Sequence, residues 1–171
     1  MDIREERPED FAAIRDVNDA AFGGTGEAEL IDRLRDEGVV VISLVAEEYG
    51  EIVAHILFSE LEVASSDHKR TIRTVALAPM AVAPTHQRLG IGSELVRQGL
   101  EKCRENGVEA VIVLGHEKYY PRFGFSAEIA ESLKSPFSGP FYMALALKHG
   151  IFDGFVGNVI YPNAFGLDTQ H

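Results

Sequence analysis

The stretch from Leu77 to Leu95 constrains this chain more than any other. It opens on an apolar run, Leu77-Ala78-Pro79-Met80-Ala81-Val82-Ala83-Pro84, and passes through a polar turn, Thr85-His86-Gln87-Arg88-Leu89. It then enters a helix start holding two glycines, Gly90-Ile91-Gly92-Ser93-Glu94-Leu95. A strand, a glycine-containing turn and a helix in that order gather unpaired backbone N–H groups at one point, which favours a phosphate there. Pro79 and Pro84 cannot donate to a sheet ladder. A strand over 71–83 is therefore expected to be open between them, with the backbone groups of Met80, Ala81 and Val82 free to pair an extended, amide-bearing ligand.

The N–H groups of Leu89, Gly90, Ile91, Gly92 and Ser93 are expected to converge at the helix start, where the helix dipole adds positive potential. Gly90 and Gly92 permit close approach of a ligand to the backbone, and Arg88 can add a charge-assisted contact. An amide chain ending in a diphosphate describes coenzyme A. Other phosphate motifs fit worse: there is no Gly-Lys-Ser/Thr run, and the third position of a dinucleotide fingerprint is Leu95.

The remaining chain reads as support for this corner. Apolar residues at helical spacing predict helices over 8–22 and 27–37, separated by Gly23-Gly24-Thr25-Gly26. β-Branched runs predict a hairpin of strands over 39–48 and 52–63. A long helix is expected over 87–106, with Cys103 on its apolar stripe as a small buried hydrophobe, followed by a buried strand over 108–114. Strand, helix, strand implies a parallel crossover. A short helix over 118–123 and closing strands over 141–147 and 155–161 complete the reading. The fold class is mixed α/β: one central sheet, antiparallel on its N-terminal side with a parallel β-α-β crossover in the middle, and helices on both faces.

The 171 residues suit one domain spanning 1–171. A net charge of −11 argues against a nucleic-acid partner, favours a cationic acceptor, and leaves an anionic ligand dependent on local donors. No run is long enough to span a membrane, and the charged start Met1-Asp2-Ile3-Arg4-Glu5-Glu6-Arg7 lacks a signal-peptide core. One cysteine excludes an intrachain disulfide, so a cytoplasmic location is expected. His55, His68, His86, His149 and His171 show no metal-ligand spacing, and no metal is expected.

Gln87-Arg88-Leu89-Gly90-Ile91-Gly92 resembles the acyl-coenzyme A signature of the GNAT superfamily of N-acetyltransferases, Gln/Arg-x-x-Gly-x-Gly/Ala. The resemblance extends to the block 77–84, to Val113-Leu114-Gly115-His116, to Tyr119-Tyr120-Pro121-Arg122-Phe123-Gly124-Phe125 and to Tyr161-Pro162-Asn163-Ala164-Phe165. It is most similar to a bacterial subgroup of N-acetyltransferases whose substrates are mostly unassigned. The resemblance implies direct attack of a small-molecule or peptide amine on acetyl-coenzyme A, and, by analogy with relatives, a homodimer. It implies that Met80, Ala81 and Val82 hold the amide arm and the thioester, and that Gln87 to Ser93 hold the diphosphate. Tyr120, the tyrosine of Tyr-x-x-x-Gly-Phe, stands where the general acid is expected; Tyr119 is expected to point elsewhere, and Tyr119, Phe123 and Phe125 to pack as an aromatic core. Many relatives carry a glutamate on the strand before the glycine signature, and residues 71–82 hold no acid. Base duty is left to Glu60, His116 or an ordered water chain. A non-catalytic acyl-coenzyme A sensor is the alternative reading.

Overall fold

The computed structural model describes residues 1–166. In chain order the elements are β1 (Asp2–Glu5), α1 (Phe11–Phe22), α2 (Gly26–Glu37), β2 (Val40–Glu48), β3 (Glu51–Ser65), β4 (Thr74–Val82), α3 (Ile91–Glu105), β5 (Ala110–Leu114), α4 (Ala127–Ala130), β6 (Leu133–Lys134), β7 (Tyr142–Ala146) and β8 (Gly157–Ile160). The main path across the sheet is β1-β2-β3-β4-β5-β7. Only β4 and β5 run parallel on this path, joined through α3 as the crossover spacing predicts. The end of β3, from Glu62 to Ser65, turns aside to pair with β8, which pairs in turn with β6.

Alternation along the strands sends side chains to two faces. Leu44, Ile56, Phe58, Val75, Leu77, Val111 and Val113 meet Leu95, Val96, Leu100 and Cys103 of α3 on one face. Val45 and Leu57, one residue out of phase, meet Ile14 of α1 and Ile31 and Leu34 of α2 on the other. Cys103 is fully buried on the α3 stripe, and burial pushes its thiol up to about 12, so it serves as packing.

Several boundaries differ from the sequence expectation. The long helix begins at Ile91, because Arg88 and Gly90 hold left-handed backbone at φ 67 and 85, which no α-helix contains. The strand expected from residue 71 begins at Thr74. The short helix expected over 118–123 is a 3-10 turn, Tyr120–Phe123. Strand β1 was not foreseen: Asp2-Ile3-Arg4-Glu5 is too polar to read as a strand, yet its ladder with Glu5↔Leu44 to Asp2↔Glu47 forms the sheet edge, where polar residues are tolerated. Among the described residues no helix is long and apolar enough to cross a membrane.

Candidate active site

The site grows from a fork in the sheet. The β4–β5 ladder runs from Thr74↔Ala110 to Leu77↔Val113 and stops there. At that point β4 bulges, since Ile56 faces Met80 while Phe58 faces Leu77, which sets Ala78 and Pro79 against Leu57 alone. Past the bulge, β4 keeps its ladder with β3 on one edge and, among the described residues, has no strand on the other. Pro84 lies outside the strand, in the 3-10 turn Pro84–His86. Only Pro79, therefore, interrupts the ladder.

The hydrogen-bond phase decides which backbone groups face the opening. The N–H of Ala83 donates to Val53 O at 2.8 Å, so Val82↔Ala54 is a non-bonded pair and Ala81↔His55 a bonded one. Val82 and, two residues earlier, Met80 thus turn their N–H and C=O toward the open edge. Ala81 does not: its backbone is spent on β3 and the residue is buried. The expectation of three free residues is corrected to two, because strand alternation turns every second peptide inward. Gln87 Nε2 donates to Val82 O at 3.0 Å, which leaves the Val82 N–H as the donor at the fork.

Met80, Val82, Gln87, Arg88, Gly90, Ile91, Gly92 and Ser93 line one cleft of about 430 Å³. Leu89 is outside it, 69% exposed, because the left-handed residues on either side turn it to solvent. Gly90 caps α3, and the N–H of Glu94 already donates to Gly90 O, so the free N–H groups at the helix start are those of Ile91, Gly92 and Ser93. A Cβ on Gly92 would lie 3.5 Å from Val82 Cγ2 and 3.6 Å from both Met80 Cε and the Tyr119 hydroxyl, in ordinary contact. The glycine signature and the strand therefore face one another across the cleft.

Three lining residues were missed by sequence reasoning: His86, Tyr119 and Arg122. Tyr119 does not point away. Its hydroxyl meets Ser93 Oγ at 3.0 Å. A 3-10 turn repeats every three residues, so Tyr119 and Arg122 share a side, with the Arg122 guanidinium 5.1 Å over the Tyr119 ring. The signal was Pro121, which fits the start of a tight turn better than a helix interior. Tyr120 is not among the residues lining the cleft; its ring packs edge-on against Tyr119 and Phe125, at centroid distances of 5.0 and 5.7 Å. Its ring is so close to Gly115 that a Cβ there would sit 2.4 Å from Tyr120 Cε2. Gly115 follows directly on β5, so Tyr120 stands on the β5 arm of the fork while Met80 and Val82 form the β4 arm. The Tyr120 hydroxyl has no hydrogen-bond partner among the described residues, and burial pushes its pKa up to about 12.

The two named base candidates lie elsewhere. Glu60 pairs with Val75, five residues before Met80 on β4, or roughly 16 Å along the strand, and lines a different cleft with Glu37 and Glu62. His116 is exposed and accepts from the Lys118 N–H through Nδ1, closing its own turn. Among the described residues no carboxylate lines the cofactor-sized cleft; its charged groups there are Arg88 and Arg122, with His86 tied to Glu48 at 2.9 Å. His171 lies outside the described residues.

The family comparison agrees with this geometry. Residues 2–127 match the model of the acetyltransferase (GNAT) domain. The chain belongs to the GNAT acetyltransferase family. It is 41% identical over 118 residues to the uncharacterized N-acetyltransferase YjhQ of Escherichia coli, a match covering 68% of this chain and 64% of that protein, just under two thirds of its length. The crystal structure of the GNAT-family YhbS from Escherichia coli in complex with CoA superimposes with a TM-score of 0.86 at 29% identity, covering 96% of this chain and 91% of that one. A GNAT-family acetyltransferase from Brucella melitensis in complex with acetyl-CoA gives a TM-score of 0.77 at 36% identity, over 96% of this chain and 97% of the other. The mixed sheet with its parallel β4–β5 junction is thus the GNAT fold.

Proposed function

We propose that residues 1–171 form one acetyltransferase domain that moves the acetyl group of acetyl-coenzyme A to a primary amine. The observation that carries this reading is the fork: an outward Val82 N–H on one arm, a tyrosine hydroxyl without a partner among the described residues on the other, and beside both a cleft whose described lining holds Arg88 and Arg122 but no carboxylate. The residues present fit the coenzyme. Ile91, Gly92 and Ser93 N–H with Arg88 suit a diphosphate, and the open edge at Met80 and Val82 suits an amide arm.

Bound acetyl-coenzyme A supplies the thioester electrophile. Val82 N–H donates to its carbonyl oxygen and stabilises the charge that develops there as the amine attacks. Tyr120 keeps its proton at neutral pH, because its pKa stands at about 12, and gives it to the departing thiolate. Gly115 holds the Tyr120 ring at the fork. With no Asp or Glu in the cleft lining among the described residues, the acceptor amine loses its proton to water.

The same absence of a carboxylate favours a second reading, a non-catalytic acyl-coenzyme A sensor. Release of free thiol from acetyl-coenzyme A across a panel of amines separates the two. Amine-dependent thiol release supports transfer; tight binding with no turnover on any amine supports the sensor.

A further inference from the structure

We infer that the acceptor is a monoamine bearing an apolar group, and that Leu114 and the cavity beside Tyr142 receive that group on the face of the sheet away from α3. The inference rests on the acetyl-transfer reading and adds the acceptor's chemistry to it. Met80 and Val82 pack with the α3 residues, and Ile91, Gly92 and Ser93 complete the cleft, so the coenzyme takes the α3 face of the fork. An amine then reaches the thioester from the other face. Strand alternation decides what stands there. In β5, Val111 and Val113 turn toward α3, whereas Ala110 and Ile112 join Tyr142 and Ala144 in the core of the opposite face. Leu114 continues that second row. It is the first β5 residue past Leu77↔Val113, where the arms part, and it is 50% exposed while the other four residues of the strand are buried. On the β4 arm Ala81, between Met80 and Val82, turns to the same face.

The Gly115 N–H donates to Phe141 O at 2.9 Å, so the next pair, Leu114↔Tyr142, is a non-bonded one, in which facing side chains stand closest. Leu114 therefore sits beside Tyr142, and Tyr142 lines a cavity of about 470 Å³ with Ala127, Ala130, Glu131, Ser138 and Pro140. Glu131 is the one charged residue in that lining among the described residues. An alkyl or phenyl group fits a space of this size and character. The acidity of the chain gathers elsewhere. Glu37, Glu60 and Glu62 share one cleft, and Glu9, Asp16, Glu47 and Glu51 share another that touches the β4 segment at Ala83. The Ala83 N–H donates to Val53 O, so this second cleft lies on the β3 side of β4, with the strand between it and the fork. A net charge of −11 steers an ammonium toward the protein, but the wall it meets at the fork is aliphatic.

Thiol release from acetyl-coenzyme A with propylamine, butylamine, pentylamine, hexylamine and 1,5-diaminopentane tests this. Hexylamine and the diamine have the same length and differ in a terminal methyl against a second ammonium. kcat/KM is expected to rise about fourfold with each added methylene, and hexylamine to exceed the diamine by roughly tenfold or more. Leu114→Asp should abolish the rise with chain length and bring the diamine level with hexylamine. Leu114 is half exposed, so coenzyme affinity and melting temperature should stay unchanged in that variant. Ala127→Leu, which narrows the cavity from α4, should slow hexylamine and spare propylamine. A kcat/KM indifferent to chain length, or an unaltered chain-length dependence in Leu114→Asp, overturns the inference and leaves acetyl transfer standing. A wild-type preference for the diamine also overturns it, and assigns the acceptor to the acidic cleft at Ala83. Coenzyme binding with thiol release from none of these amines overturns it together with the transfer reading beneath it.

Discussion

Arg88 holds an unfavourable backbone conformation where the ligand is expected. At φ 67 it occupies the left-handed region, which costs a non-glycine residue on the order of 1 kcal/mol. Arg88→Gly is therefore expected to raise stability by about that amount while weakening coenzyme A binding, measured by chemical denaturation and titration on one variant. Tyr120→Phe should reduce turnover strongly and leave coenzyme affinity nearly unchanged, since the ring is packed in the core and only the hydroxyl serves the leaving group. The pH profile follows from the same residues. No Asp or Glu lines the cleft among the described residues, and Tyr120 stays protonated to about 12. kcat/KM should climb with pH toward the amine's own pKa; a plateau below neutral pH would instead reveal a protein base.

At the scale of elements, the fork depends on close approaches that glycine alone allows. A Cβ on Gly99 of α3 would lie 2.4 Å from the Phe58 ring, so Gly99→Ala should push α3 off the sheet and cost about 1–3 kcal/mol in denaturant unfolding. Gly115→Ala would displace the Tyr120 ring, and is expected to lower turnover more than coenzyme affinity. These elements were legible in the sequence to different degrees. Pro79, Gly90 and Gly92 impose backbone constraints that are local, so the strand–turn–helix corner and its crossover could be read directly. Edge strand β1 is polar and β6 is only two residues long; their ladders come from distant partners, which no local pattern encodes, whereas β8 falls within the strand expected over 155–161. Tyr119 and Arg122 were hidden because the period of their turn is three. Ala81 was misread for the opposite reason: two-residue alternation holds through the fork and turns its peptide inward.

Across the whole molecule, a polar thread runs through the face opposite α3. Asn18 Nδ2 donates to Ile14 O at 2.9 Å and meets His55 Nδ1 at 3.3 Å, so His55 accepts there and its Nε2–H donates to Ser43 Oγ at 2.9 Å. Ser43 donates onward to Glu6, which Arg35 also holds at 2.7 Å. Burial first, and Arg35 second, pushes His55 down from an ordinary 6.5 to about 3. Between those values the unfolded chain binds the extra proton, so stability falls as pH falls through that window. Asp10, held low by the Arg4 guanidinium, adds a loss in the same direction as its carboxylate is protonated. Melting temperature should therefore drop from pH 7 toward pH 4, and less steeply in His55→Gln whatever its starting stability; equal slopes would place the acid sensitivity elsewhere. His55 pairs with Ala81 and so underlies the β4 arm of the fork. A crystal structure of the chain with acetyl-coenzyme A tests the role of that fork most directly. The thioester carbonyl is expected within about 3 Å of Val82 N, with the diphosphate at the helix start formed by Ile91 to Ser93. A coenzyme bound without contact to Val82, or outside this cleft, would contradict it.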